Sequence, residues 1–133
     1  MIKALNHVGI AVNDLDESVA VYERMLGIPA TSVKEVPELK MKVALFEVGH
    51  VHFELLQPTA PDGEVGRFIK SHGQGVHHLC FEVDDIESTL AQMAAQGMKL
   101  IDEVPRVGSA GQKYAFVHPK SAHGVLVELY EKP

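Results

Sequence analysis

The stretch HVGIAVNDLDE (residues 7–17) is informative about the fold, because a similar stretch, HLCFEVDDIES (residues 78–88), follows 71 residues later. In both copies a mostly apolar run predicts a strand, and the acidic residues after it predict a turn that opens a helix. A repeat of this length indicates that one supersecondary unit occurs twice. We therefore read the chain as two similar halves.

The helix that follows each strand has apolar residues at helical spacing. These are Leu15, Val19, Tyr22 and Leu26 in the first half, and Ile86, Leu90, Met93 and Ala94 in the second. Asp84 with Glu87 predicts an N-cap and its capping-box partner. Gly27 and Gly97 are expected to end the two helices.

Three further strands are predicted in each half. They span about 31–36, 41–48 and 51–57 in the first half, with a tight turn at Gly49–His50, and about 99–103, 113–118 and 125–131 in the second. The stretch between the halves predicts a short helix at about 64–71. The predicted fold class is α+β: two tandem βαβββ modules in a single domain, with module 1 at about 1–57, a linker with its helix at about 58–74 and module 2 at about 75–133.

Composition excludes several classes of protein. The chain has 133 residues, is 46% hydrophobic and carries a net charge of −6, which argues against non-specific nucleic-acid binding and against an anionic membrane surface. No run approaches a membrane span, and the first residues do not resemble a signal peptide. The single cysteine, Cys80, permits no internal disulfide. We therefore expect a buried thiol and a cytoplasmic protein.

The repeat also predicts a metal site. His78 repeats His7, and FELLQP (53–58) lies over VELYEKP (127–133), so that Glu54 matches Glu128. Carboxylates inside apolar strands need a partner or a metal. We expect His7, Glu54, His78 and Glu128 to hold one divalent ion: cobalt, nickel, zinc or manganese.

Other histidines have simpler interpretations. His77 precedes His78 in the same strand, so it points to the opposite face and is expected to be structural or partly exposed. His50 and His52 share the face of Glu54 by strand parity and could supplement the site. The remaining ones are interpreted as linker or turn residues: His72, His118 and His123.

The paired His and Glu in a repeated βαβββ pattern resemble the vicinal-oxygen-chelate superfamily, which includes glyoxalases and bleomycin resistance proteins. Three stretches are most similar to the methylmalonyl-CoA epimerases within it: HHLCFEVDDI, VPELKMKVALFEVGHVHFELLQP and FVHPKSAHGVLVELYE. The resemblance implies the same four metal ligands. It also implies an acyl-CoA substrate, a homodimer, and isomerase activity on (2R)- and (2S)-methylmalonyl-CoA through a metal-stabilised enolate.

Epimerisation requires acid/base groups on both faces of C2. The resemblance implies that Glu128 is one of them and acts as ligand and base. Some members of the family carry the second acid on the strand at 41–48, where this chain has Val43. Glu47 has the same strand parity as Val43 and is the candidate substitute.

Contacts to the CoA portion are expected from cations in the last third of the chain. The candidates are Lys113 and Lys120, with Arg106 nearby. The loop RVGSAGQK (106–113) could offer backbone N–H groups to a carboxylate or phosphate.

Three other functions compete with the epimerase. A glyoxalase I-like isomerase uses a similar ligand set, and a non-catalytic ligand- or drug-binding protein of the same fold needs no metal. An extradiol dioxygenase is less consistent with the sequence, because its iron site typically has a single carboxylate.

Overall fold

The computed structural model describes residues 1–133. The chain forms two compact units. The first unit is 7–77, and the second unit combines 1–6 with 78–133. Two strands contribute to both units. In strand β1 (Ile2–Ala11), residues 2–6 belong to the second unit. In β5 (Gly75–Val83), residues 75–77 belong to the first unit.

The first unit contains three further strands and two helices. They are α1 (Leu15–Leu26), β2 (Ser32–Val36), β3 (Met41–Val48), β4 (Val51–Pro58) and α2 (Glu64–His72), with a 3₁₀ turn at Pro37–Leu39. The strand order is β2-β3-β4-β1. β1 and β4 are parallel, and the other neighbours are antiparallel.

Each face of this sheet is covered by one helix. On one face α1 buries its apolar stripe, including Leu15, against Ala44, Phe46 and Leu55. On the other face Val65 of α2 packs with residues of β1 and β4. Strand periodicity explains the division, because neighbouring residues of β4 point to opposite faces.

The second unit repeats the strand order and has one helix, the counterpart of α1. It contains α3 (Ile86–Ala95), β6 (Arg106–Val107), β7 (Lys113–Val117) and β8 (Leu126–Glu131), with a 3₁₀ turn at Pro119–Ser121. The strand order is β5-β8-β7-β6, with β5 and β8 parallel. Helix α3 buries Ile86 and Leu90 against Ala115, Val117 and Leu129. The predicted α+β class with two βαβββ repeats is confirmed.

The predicted strand at 99–103 is wrong. In this segment Leu100 forms only an isolated bridge to Val117, and the N–H groups of Ile101 and Asp102 both donate to the Phe116 carbonyl. Pro105 has no N–H to donate to a ladder. Strand pairing therefore resumes only at Arg106–Val107, inside the stretch that the sequence suggested was a loop.

The predicted cap of the third helix is one residue too early. Asp85, rather than Asp84, is the N-cap, and its carboxylate accepts the Ser88 N–H at 3.0 Å. Asp14 caps α1 in the same way through the Glu17 N–H at 3.1 Å. Asp84 instead accepts a hydrogen bond from the Met1 ammonium, which holds the pKa of its carboxyl below the ordinary value.

Gly27 and Gly97 do stand at the helix ends. Gly27 has φ 72°, and its N–H donates to the Glu23 carbonyl, which closes α1. Gly97 has φ 84° and directly follows the Gln96 C-cap of α3. None of the helices is long and apolar enough to cross a membrane.

The cap assignment can be tested by mutation. Asp85→Ala should lower the free energy of unfolding by about 1 kcal/mol, because it leaves an N–H in the first turn of α3 without its acceptor. Asp84→Ala should have a smaller effect, since it removes only a solvent-exposed ion pair. Urea unfolding measures both changes, and a larger loss for Asp84→Ala would contradict the assignment.

Candidate metal and active site

The first His–Glu pair belongs to the first unit. In the parallel pairing of β1 with β4, Gly9 is the partner of Glu54, so His7 lies two residues before that partner on the same face. The imidazole Nε2 of His7 lies 4.0 Å from Oε2 of Glu54.

The second pair belongs to the second unit and has the same register. In the parallel pairing of β5 with β8, Cys80 is the partner of Glu128, so His78 again lies two residues before that partner. The His78 Nε2 lies 3.9 Å from Glu128 Oε1. The sequence repeat therefore produces a repeated side-chain geometry.

Both pairs are largely shielded from water. The imidazoles of His7 and His78 are 15% and 11% exposed, and the carboxylates of Glu54 and Glu128 are 23% and 16% exposed. Separations near 4 Å exceed hydrogen-bond distance. They approach the separation of two atoms that bind one ion at about 2 Å each. Imidazole nitrogens and carboxylate oxygens are suitable ligands for a divalent transition metal.

His77 lies in a different environment from His78. It is buried at 7% exposure, with its Nε2 at 3.6 Å from Glu64 Oε1. Its ring packs edge-on against Phe68 of α2 at a centroid distance of 4.9 Å. Burial lowers the pKa of His77, and the nearby Glu64 opposes that shift only in part. A packing role against α2 agrees with the structural role expected from strand parity, although His77 is more buried than that expectation required.

The chain is similar to known proteins in both sequence and structure. Residues 6–116 match the model of the glyoxalase/bleomycin resistance protein/dioxygenase superfamily. The mitochondrial methylmalonyl-CoA epimerase of Homo sapiens is 36% identical over 94% of this chain and 72% of that protein. The ethylmalonyl-CoA/methylmalonyl-CoA epimerase of Cereibacter sphaeroides is 34% identical over 97% of this chain and 98% of that protein.

A solved structure gives the same result. A variant of Streptomyces coelicolor methylmalonyl-CoA epimerase in complex with 2-nitronate-propionyl-CoA matches with a TM-score of 0.84 and 32% identity, over 99% of this chain and 96% of that one. The chain belongs to the methylmalonyl-CoA epimerase family of this superfamily. The resemblance inferred from the sequence is confirmed.

Val43, at the position where some family members carry an acid, lies next to apolar side chains. Val43 pairs with Leu56 and packs in the cluster that Val65 of α2 covers. Val43 itself is only partly buried.

Glu47 lies on the same face of the sheet as Glu54, but it is not the ladder partner of Glu54. It pairs with His52, which pairs in turn with His7. Glu47 is therefore two strands from His7, or about 10 Å at the usual strand spacing. Its side chain is exposed.

The other histidines lie in turns or at an element end, and His72, predicted as a linker residue, is the last residue of α2. His50 occupies the hairpin turn, beside Gly49 with φ 61°. His72 stacks on Phe68 at a centroid distance of 4.8 Å. His118 caps the 3₁₀ turn of the HPKS stretch, since its Nδ1 accepts the Lys120 N–H at 3.0 Å. The conformation of this turn thus depends on His118 as well as on proline.

The candidate CoA-binding lysines are not equivalent. Lys113 Nζ donates to Glu87 on α3 at 2.6 Å, a contact that raises the pKa of this ammonium, and lies 3.8 Å from Glu131. Lys113 therefore lies on the face that α3 covers. Lys120 lies in the HPKS turn with its side chain exposed.

Asp102 was not recognised from the sequence. One carboxylate oxygen accepts the Phe116 N–H at 2.9 Å, and the other accepts Arg106 Nε at 3.0 Å. The i,i+4 spacing of Asp102 and Arg106 is a signal that could have been noticed. It is typical of helical pairs, however, and this segment is not helical.

Proposed function

We propose that this chain interconverts (2R)- and (2S)-methylmalonyl-CoA. Membership of the family makes it an isomerase, and acyl-CoA is the class of ligand named for its relatives. The observation that carries the proposal is the pair of His–Glu contacts with identical strand register, one in each repeat. A protein of this fold that only binds a ligand has no need of such a repeated arrangement.

The proposed metal ligands are His7, Glu54, His78 and Glu128 acting together on one divalent cation. Cobalt, nickel, zinc and manganese all accept such nitrogen and oxygen ligands. The low exposure of both carboxylates supports this assignment, because a nearby cation offsets the cost of burying their charge. When bound, the ion would supply Lewis acidity close to the acidic C2–H of the substrate.

Glu128 is the proposed base on one face of the substrate. A carboxylate has two oxygens, so the same residue can hold the cation and accept the C2 proton. Its low exposure excludes much of the competing water. The proton returns from the opposite face to give the other epimer, which requires a second acid.

Glu47 is the proposed second acid. It is the only acidic residue at 41–48, and it lies on the same face of the sheet as Glu54. Its exposed side chain is proposed to reach over His52, its partner in the ladder, toward the substrate.

Lys120 and Lys113 are the proposed contacts to the CoA portion. Lys120 is better suited because its ammonium is exposed in a structured turn. Lys113 would first have to release Glu87. A cytoplasmic location and a homodimer complete the proposal, and light scattering of the purified protein would measure the dimer.

Incubation of the purified protein with (2S)-methylmalonyl-CoA in D₂O tests the reaction. We expect deuterium at C2 together with inversion, and loss of both after a chelator has removed the metal. NMR of the recovered thioester measures both. Turnover of the methylglyoxal–glutathione adduct without any exchange at C2 would instead assign a glyoxalase I activity. Neither reaction, in a protein without bound metal, would assign a binding protein.

Replacement of the adjacent histidines tests the ligand assignment. His78→Ala should lose the metal, whereas His77→Ala should retain it while unfolding at a lower temperature, because His77 packs against α2. Elemental analysis and thermal unfolding measure these effects. His77→Gln is a second variant in case His77→Ala does not fold. Loss of metal from the folded His77 variants alone would show that the register is wrong.

Glu47→Gln tests the second acid. The variant should keep its metal and still exchange the C2 proton of one epimer, because Glu128 remains, while inversion falls by about 100-fold. The ratio of exchange to inversion in D₂O measures this separation. Glu38→Gln, at an exposed turn of the same unit, is the matched control. Unchanged inversion in Glu47→Gln would exclude the role.

A further inference from the structure

Arg106 is held in place by a specific set of contacts. It occupies the two-residue strand β6, opposite Tyr114 of β7. Its Nε donates to Asp102 at 3.0 Å, and the other oxygen of that carboxylate is bound to the Phe116 N–H. Asp102 is only 13% exposed, while the Arg106 side chain remains 49% exposed. The stem is therefore anchored and part of the side chain is open to solvent.

The guanidinium also lies over two aromatic rings. Its central carbon is 5.9 Å from the centroid of Tyr114 and 5.2 Å from that of Phe116. Cation–π contacts at these distances orient the group over the rings. Of the five N–H donors of a guanidinium, Asp102 uses the one at Nε and Tyr114 is a second partner, so the other donors at the terminal nitrogens can bind a further acceptor.

These contacts place Arg106 on the face of the sheet that carries Glu128. Phe116 is the ladder partner of Glu128, and partners across a ladder point to the same face. The opposite face of β7, with Ala115 and Val117, packs against α3. Lys113 also lies on that opposite face, because its ammonium binds Glu87 of α3.

We infer that Arg106 binds an oxyanion of the substrate on the face that carries Glu128. The inference rests on the proposed function, and it adds a specificity residue that the four metal ligands do not supply. A net charge of −6 repels an anionic ligand, so a fixed local cation is needed. A planar guanidinium matches both carboxylate and phosphate geometry. The oxyanion is therefore the free carboxylate of the acyl group or a phosphate of CoA.

Kinetics with two substrates test the inference and distinguish these sources. Arg106→Gln should raise KM for methylmalonyl-CoA about tenfold with little change in kcat, and Arg106→Lys should restore part of the loss. The phosphate-free N-acetylcysteamine thioester of methylmalonate is the second substrate. If KM rises for both substrates, Arg106 binds the carboxylate. If KM rises for the CoA ester alone, it binds a phosphate.

The matched control is Arg24→Gln, which removes the same charge from the exposed last turn of α1. A merely structural role for Arg106 would lower the melting temperature and leave KM unchanged for both substrates. That result would overturn the inference, as would an equal rise in KM for Arg24→Gln.

Calorimetric binding of methylmalonyl-CoA separates this inference from the proposed function. If the wild-type protein binds the thioester without epimerising it and Arg106→Gln weakens that binding, the oxyanion site stands and the proposed reaction fails. If the wild-type protein epimerises the thioester and Arg106→Gln binds it equally well, the reaction stands and the inference fails.

Discussion

The parallel register between the first and last strand of each repeat is the constraint on which the candidate site depends. In both repeats, the glutamate on the last strand pairs with the residue two positions after the histidine on the first strand. This single offset sets the two His–Glu separations at 4.0 and 3.9 Å. A slip of one residue in either ladder would turn the carboxylate to the opposite face. The site is therefore a property of strand pairing rather than of a local motif.

The helices stabilise that register by covering defined faces of the strands. In the first unit α1 packs on the residues of β4 that alternate with Glu54, such as Leu55. In the second unit α3 packs on Leu129, the neighbour of Glu128. Burial of each such apolar side chain contributes about 1.5–3 kcal/mol. The core thus favours the register that turns both carboxylates to the faces opposite α1 and α3.

Much of this arrangement could be predicted from the sequence because the repeat supplied an internal comparison. Because His7 matches His78, the sequence predicted that His78 and not its neighbour His77 shares the face of the glutamates. In the structure His77 packs on α2. The same comparison matched Asp14 with Asp85. It should have given the correct cap, but the acidic pair at 84 and 85 allowed two choices, and spacing to Glu87 favoured the wrong one.

The predictions failed where the second repeat departs from the first. After Leu100 the chain leaves the sheet, and Asp102 satisfies the Phe116 N–H with a side chain in place of a strand. Hydrophobic periodicity in the sequence does not show that a side chain, and not a neighbouring strand, accepts this N–H. The same departure positions Arg106 over the aromatic residues of β7, which sequence alone indicated only as one cation among several.

The metal stoichiometry of the protein tests the proposal that the two His–Glu pairs act on one cation. Elemental analysis of the wild-type protein and of His7→Ala and His78→Ala separately is the decisive measurement. We expect one divalent ion per chain in the wild type and nearly none in either variant, because each pair alone supplies too few ligands. Two ions per chain, with one retained in each variant, would contradict it.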